Sequence, residues 1–191
     1  MRFSLSATLP VAVAAFAYDA AAQLSGEEVL SSLTGLISTL QSAGDSRVKL
    51  QQETPNINTQ TVVAFENALH DAFVPVESTI IQNNLSDENN IGTLSDAQQS
   101  ALCALLPKVT QAGEYAIDGL MKLPTFQDVQ GPAFDAEFDL GLILERLSIQ
   151  FNWVAWSLYS AGAAAKCEDD SFAILQGFSR DLDNLSNYLL Y

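Results

Sequence analysis

Residues 134–162 read FDAEFDLGLILERLSIQFNWVAWSLYSAG, and this stretch decides the fold. Apolar residues recur in it at alternating steps of four and three, which places them on one face of an α-helix. They are Leu140, Leu144, Leu147, Phe151, Val154, Leu158 and Ala161. A second apolar line runs beside them, made of Phe138, Leu142, Ile149, Trp153 and Trp156. Two adjacent lines are wider than an amphipathic helix needs, so we expect a central helix that other helices contact on several sides.

Four further segments have helical periodicity, and strand-type alternation is nearly absent. Capping boxes begin the first helix at Ser25 and the third at Ser95. Pro75 and Pro107 lie inside the second and third helices and should kink them, whereas Gly44 should break or bend the first. The last helix should bury Ile174, Phe178, Leu182, Leu185 and Leu189. The sequence therefore predicts an all-α fold, an antiparallel bundle of about five helices, two of them proline-kinked.

Length and charge limit the classes of partner. A chain of 191 residues suits one domain and can bury a full core without metals. It carries 8 Lys and Arg against 23 Asp and Glu, a formal net charge of −15. Such a protein repels phosphate, so we expect no nucleic-acid partner and weak attraction to anionic membranes.

The first 22 residues have the pattern of a signal peptide. Arg2 is a short basic region, an apolar run follows, and small residues precede Gln23. The run is too short for a spanning helix, and no later segment is long and apolar enough. We expect cleavage after Ala22, with residues 15–17 as an alternative site. Residues 23–191 then form a single bundle domain, secreted to the extracellular space or the cell wall.

The chain has two cysteines and two N-glycosylation sequons. An oxidising compartment favours a Cys103–Cys167 disulfide over two buried free thiols. The sequons begin at Asn84, in a polar stretch, and at Asn184, inside the last predicted helix. Asn84 is the better candidate for modification.

Catalytic and metal-binding patterns are weak. His70 is the only histidine, and neither a GxSxG elbow nor a phosphate-binding glycine loop is present. The acidic clusters near Asp135 and Glu168 lie at predicted helix starts, where carboxylates suit the helix dipole. We therefore predict a protein that is not an enzyme, with no catalytic residues, no metal and no cofactor.

The aromatic residues of the central helix allow two interpretations. Trp153, Trp156 and Tyr159 share a helix face because they are three apart. They can be core of the bundle, with the indole N–H groups near its edge. Alternatively, they line a cavity or form an exposed apolar patch.

Three helical segments stand out together: EEVLSSLTGLISTLQS at 27–42, VVAFENALHDAFVPVEST at 62–79, and LSDAQQSALCALLPKVTQAGEYAIDGLMKLPTFQ at 94–127. They resemble the fungal hydrophobic surface-binding protein A family, which is related to cell-wall galactomannoproteins. The resemblance covers most of the mature chain as a distant member, and the two tryptophans and the cysteine pair depart from the family pattern. It implies a secreted helical protein that adsorbs to hydrophobic surfaces or holds a fatty-acid-like ligand between its helices.

Three functions remain open at this point. The leading one is binding of a hydrophobic surface or a long-chain lipid, with contacts from Phe138, Leu142, Trp153 and Trp156. The second is a secreted effector-type protein that binds a host or cell-wall protein and has no lipid cavity. An enzyme comes third, and it would need convergent polar groups in a pocket.

Overall fold

Five α-helices make up most of the described chain, which confirms the all-α prediction. The computed structural model describes residues 23–54, 56–58, 61–87, 90–123, 131–162, 167 and 170–191. The signal-peptide prediction for residues 1–22 falls outside this part of the chain. The helices are α1 Gly26–Glu53, α2 Val62–Gln82, α3 Asp96–Ile117, α4 Pro132–Ser160 and α5 Asp170–Leu190, with a short 3-10 helix at Leu120–Lys122. None of these helices has the length and apolarity that a membrane span needs.

The helices pack as a closed ring rather than in chain order. α1 packs against α2 and α3, α5 packs against α3 and α4, and α2 packs against α4. The ring order is therefore α1, α2, α4, α5, α3. Helices that follow one another in the chain run in opposite directions. Helices that are neighbours in the ring but have one helix between them in the chain run parallel.

Contacts along two neighbouring helices show the parallel packing. Near the start of α1, Gly26 lies against the Gln98 side chain of α3. About five to six turns further on, Arg47 donates through Nη2 to the Tyr115 carbonyl of α3, at 2.9 Å. Both pairs advance in the same direction, so α1 and α3 begin at the same end of the bundle.

The predicted disulfide is present. Cys103 of α3 is bonded to Cys167, which precedes α5, and their Cα atoms are 5.1 Å apart. The bridge therefore fixes α3 to the connection between α4 and α5.

The first apolar line of the opening stretch is core, as expected. Leu147 and Phe151 on α4 are fully buried, and the Phe151 ring meets Phe178 of α5 edge-on with centroids 4.9 Å apart. The expectation of contacts on several sides was wrong for the rest of the helix. α4 packs mainly against α2 and α5, so its outer face is left open to solvent.

Gly44 does not interrupt α1, contrary to expectation. The helix continues through it to Glu53, and the Tyr115 ring of α3 occupies the space that a side chain at Gly44 would fill. A Cβ at Gly44 would lie 2.3 Å from that ring. Pro75 and Pro107 do lie inside α2 and α3, as predicted, and both helices continue beyond them.

Candidate functional site

One side of α4 is fixed by α5 through polar contacts inside the bundle. The Ser148 hydroxyl donates to the Ser179 carbonyl at 2.9 Å, and the Ser179 hydroxyl donates back to the Ser148 carbonyl at 2.9 Å. Further along, Ser186 donates to the Gly141 carbonyl at 3.0 Å. These contacts give the buried serine hydroxyls hydrogen-bond partners. They also fix which face of α4 is turned toward α5.

The other side of α4 is fixed by α2. The Arg146 guanidinium forms an ion pair with the Glu77 carboxylate, with Nε and Oε1 2.8 Å apart. The α4 surface between this ion pair and the α5 contacts faces solvent.

That solvent-facing surface is mostly apolar at both ends of the helix and is interrupted by the exposed Glu145 near its middle. We call it the α4 stripe, and its seven residues are Phe134, Phe138, Leu142, Ile149, Trp153, Trp156 and Tyr159. Six of them are exposed by 38% to 58%, and Leu142 is half-buried. At 3.6 residues per turn and 1.5 Å per residue, the stripe covers about a third of the helix circumference over about 38 Å.

The aromatic rings of the stripe pair with one another at its two ends. Phe134 and Phe138 are stacked with centroids 6.0 Å apart, and Trp156 and Tyr159 meet edge-on at 6.0 Å. A patch of this length exceeds the isolated surface hydrophobes that are normal on soluble proteins.

All four residues predicted to bind lipid lie on the stripe. Phe138, Trp153 and Trp156 are exposed, and Leu142 lies between them on the same face. The structure thus brings the four together on an outer surface of the bundle rather than around an interior space.

Three residues of the stripe, Phe134, Ile149 and Tyr159, were not among the four predicted from sequence, although Ile149 belongs to the second apolar line. Phe134 precedes Phe138 by four residues and Tyr159 follows Trp156 by three, so helical spacing was a sufficient signal. The other mistake concerns α5, where Ile174 is exposed and the neighbouring Leu175 is buried in its place. Ile174 therefore adds an apolar side chain to the surface of the bundle.

The charges beside the stripe are acidic or neutralised. Asp135, Asp139 and Glu145 are exposed on α4. Arg146 is the only basic residue of the helix, and it is paired with Glu77. Anionic groups approaching this face would meet like charge.

Other predicted sites lie away from the stripe. His70 on α2 is half-buried, with Nδ1 3.3 Å from Asp71. The described residues contain no group of three or more His, Cys, Asp or Glu side chains placed to hold a metal ion. A surface groove of about 530 Å³ runs between α3 and α5, and none of the four predicted residues is among its described lining residues.

The two sequons differ in their surroundings. Asn84 is exposed in the turn after α2, with a φ of 49°. Asn184 is exposed on α5, but Ser186 of the same sequon is buried and bonded to Gly141. Glycosylation at either position stays a prediction.

No protein-family model, no curated protein and no solved structure matches this chain. The geometry of the α4 stripe is therefore the basis for the functional proposal.

Proposed function

We propose that the protein is a secreted, non-enzymatic protein that adsorbs to uncharged hydrophobic surfaces through the α4 stripe. The observation that supports this is the row of seven apolar side chains, five of them aromatic, on the solvent face of one helix, interrupted by the exposed Glu145. Adsorption would remove these side chains from water without opening the core. The proposal agrees with what the resemblance to the hydrophobic surface-binding family implies.

The energetics suit adsorption. An aromatic side chain has roughly 200 Å² of surface, so covering the exposed half of one yields about 2.5 kcal/mol at about 25 cal/mol per Å². Tryptophan and tyrosine also favour interfaces, because an apolar ring carries a polar group that stays hydrated.

The charge pattern argues for an uncharged target. The exposed carboxylates on α4 and the net charge of −15 oppose contact with anionic surfaces. An acyl chain would reach the stripe from outside, so the form of the hypothesis with a ligand between helices has less support.

The test is adsorption to an alkyl-coated quartz crystal microbalance. In the double variant Trp153→Ser/Trp156→Ser we expect apparent affinity at least about tenfold below that of wild type, because two ring contacts are lost. Because about half of each ring is also packed against the bundle, the free energy of unfolding should fall by up to about 2.5 kcal/mol per substitution, so adsorption is compared under conditions in which circular dichroism shows both proteins to be folded.

A matched control distinguishes adsorption through the α4 stripe from nonspecific adsorption by other exposed apolar side chains. Met121→Ser/Tyr191→Ser removes two exposed apolar side chains outside the stripe and should adsorb like wild type. Equal adsorption by wild type and by the stripe variant would refute the proposal. Stripe-dependent capture of one specific protein, with no adsorption to alkyl surfaces, would favour the effector-type alternative.

A further inference from the structure

Helix α2 carries two exposed apolar side chains beside its ion pair with α4. Val74 is 37% exposed and Ile81 is 53% exposed. They stand three residues before and four residues after Glu77, so all three lie on one side of α2. Because Glu77 Oε1 is 2.8 Å from Nε of Arg146 on α4, this side of α2 adjoins α4.

The two side chains lie on the outer part of that side. With 3.6 residues per turn, Val74 and Ile81 are rotated about 40° to 60° from Glu77 about the axis of α2. Phe73 and Ile80 are rotated by similar angles in the opposite sense, and both are buried in the core. The α2 surface next to α4 is therefore apolar on its solvent side.

The ion pair sets the level of α2 against α4, and the two helices run parallel. Ile81 is about 6 Å beyond Glu77 along α2, at 1.5 Å per residue. On α4, Ile149 and Trp153 are about 4.5 Å and about 10.5 Å beyond Arg146. Ile81 is therefore level with the interval between these two residues of the α4 stripe.

This placement bears on the interruption of the α4 stripe by Glu145. Val74 is about 4.5 Å before Glu77 along α2, close to the level of Leu142. Val74 and Ile81 thus lie on either side of the level at which the exposed Glu145 interrupts the stripe. An apolar surface can pass Glu145 on the side of α2.

That path crosses two charges, and they compensate each other. Arg146 donates to the Glu77 carboxylate through Nε at 2.8 Å and through Nη2 at 3.4 Å. The Glu77 side chain is 17% exposed and the Arg146 side chain is 50% exposed. Covering a hydrogen-bonded ion pair with apolar material costs less than covering an isolated charge.

We propose that the adsorbing surface spans both helices, with Val74 and Ile81 of α2 beside the α4 stripe. In this arrangement the Glu77–Arg146 pair keeps the surface neutral and thereby restricts the protein to uncharged targets. The inference rests on the proposed function of the stripe and adds to it a second helix and a determinant of specificity.

The first test compares two isoleucines on the alkyl-coated microbalance. Ile81→Ser should lower the apparent affinity about three- to tenfold, because about half of an isoleucine side chain no longer contributes. Ile174→Ser is the control, since Ile174 precedes Phe178 by four residues and Phe178 lies against Gly113 of α3. This control should adsorb like wild type, and wild-type adsorption by Ile81→Ser would overturn the contribution of α2.

The second test concerns the ion pair. Arg146→Gln leaves the Glu77 carboxylate uncompensated, so the apparent affinity should fall at least about tenfold. Glu77→Gln/Arg146→Gln removes both charges and should recover most of the lost affinity. If the pair serves only to dock α2 against α4, the single and double variants will lose adsorption alike, which would overturn its role in specificity.

A charge-matched control comes from α1. Lys49→Gln breaks the exposed Lys49–Glu53 pair and changes the net charge by the same amount as Arg146→Gln. It should adsorb like wild type, and a loss equal to that of Arg146→Gln would overturn the local role of the ion pair. Circular dichroism at the temperature of the measurement establishes that each variant is folded.

This inference and the proposed function fail in different ways. Weak adsorption by Trp153→Ser/Trp156→Ser, with wild-type adsorption by Ile81→Ser and Arg146→Gln, would keep the α4 stripe and overturn its extension to α2. Wild-type adsorption by the tryptophan variant would overturn both.

Discussion

Gly113 lies where the ring of Phe178 crosses α3. A Cβ at this position would come within 2.4 Å of the ring, which is itself buried. On α1, Gly35 has no neighbouring atom within 4 Å of the same point. Gly113 is therefore needed for the close approach of the Phe178 ring to α3, whereas no packing contact requires a glycine at position 35.

We expect opposite effects from alanine at these two positions. Gly113→Ala should lower the free energy of unfolding by about 1–3 kcal/mol, because overpacking outweighs the gain in helix propensity. Gly35→Ala should raise it by up to about 1 kcal/mol, because only the propensity changes. Urea unfolding of both variants at one pH measures the difference, and an equal gain in both would show that Phe178 can be accommodated.

Gly44 shows what residue type alone could not predict. In the sequence it is a helix breaker by propensity, but in the structure it is the residue that lets Tyr115 pack on α1. The ring that covers it belongs to a helix about 70 residues away, and nothing local encodes that contact. Tertiary packing thus outweighs the low helix propensity of glycine, which is about 1 kcal/mol less favourable than that of alanine.

The two helix starts at one end of the bundle use the same cap with different chemistry. In α1, the Ser25 backbone N–H donates to the Glu28 carboxylate at 2.7 Å. In α3, the Ser95 backbone N–H donates to the neutral Gln98 side chain at 2.8 Å. Only the first of these caps depends on pH.

Acid should weaken the start of α1 and leave the start of α3 unchanged. The hydrogen bond from the Ser25 backbone N–H lowers the pKa of Glu28, so its stabilising effect is present above about pH 4.5 and lost as the pH falls through the lowered value. Amide protection of Ser25, Glu28 and Val29, whose N–H groups are hydrogen-bonded at the cap, should decrease from pH 6 to pH 3, with no matching decrease at the corresponding amides of α3. In Glu28→Gln the pH dependence at α1 should disappear, and its persistence would contradict this assignment.

Periodicity predicted the positions of the helices and the apolar lines of α4, but not which line is covered. Both lines look alike in sequence, since Leu144 and Leu142 are equally apolar. Their fates differ because Ser148 and Arg146 dock α4 against α5 and α2, which turns the first line inward. The site was therefore predictable as a set of residues, whereas its exposure depended on the neighbouring helices.

The disulfide contributes to stability at the scale of the whole molecule. The two cysteines are 64 residues apart in sequence, and chain-entropy estimates for a loop of this size give about 4 kcal/mol. The variant Cys103→Ser/Cys167→Ser should therefore unfold at lower urea concentration, with its free energy of unfolding reduced by about that amount. A change below about 1 kcal/mol would mean that the folded chain is strained by the bridge or that the unfolded chain is already compact.

The ring order could not be read from the sequence. Each helix has one apolar face, and such faces allow several cyclic arrangements of five helices. The arrangement with α3 between α1 and α5 depends on particular fits, such as Gly44 with Tyr115 and Gly113 with Phe178. A bundle of antiparallel neighbours in chain order would have satisfied the same periodicity.

The Cys103–Cys167 bridge also determines what a protease can accomplish. The bridge closes a covalent loop that contains most of α3 and all of α4. A single cut between residues 103 and 167 leaves both pieces joined, so neither piece can diffuse away until the disulfide is reduced. Two cuts inside the loop are needed to release α4, while one cut in α1 or α2 severs the chain.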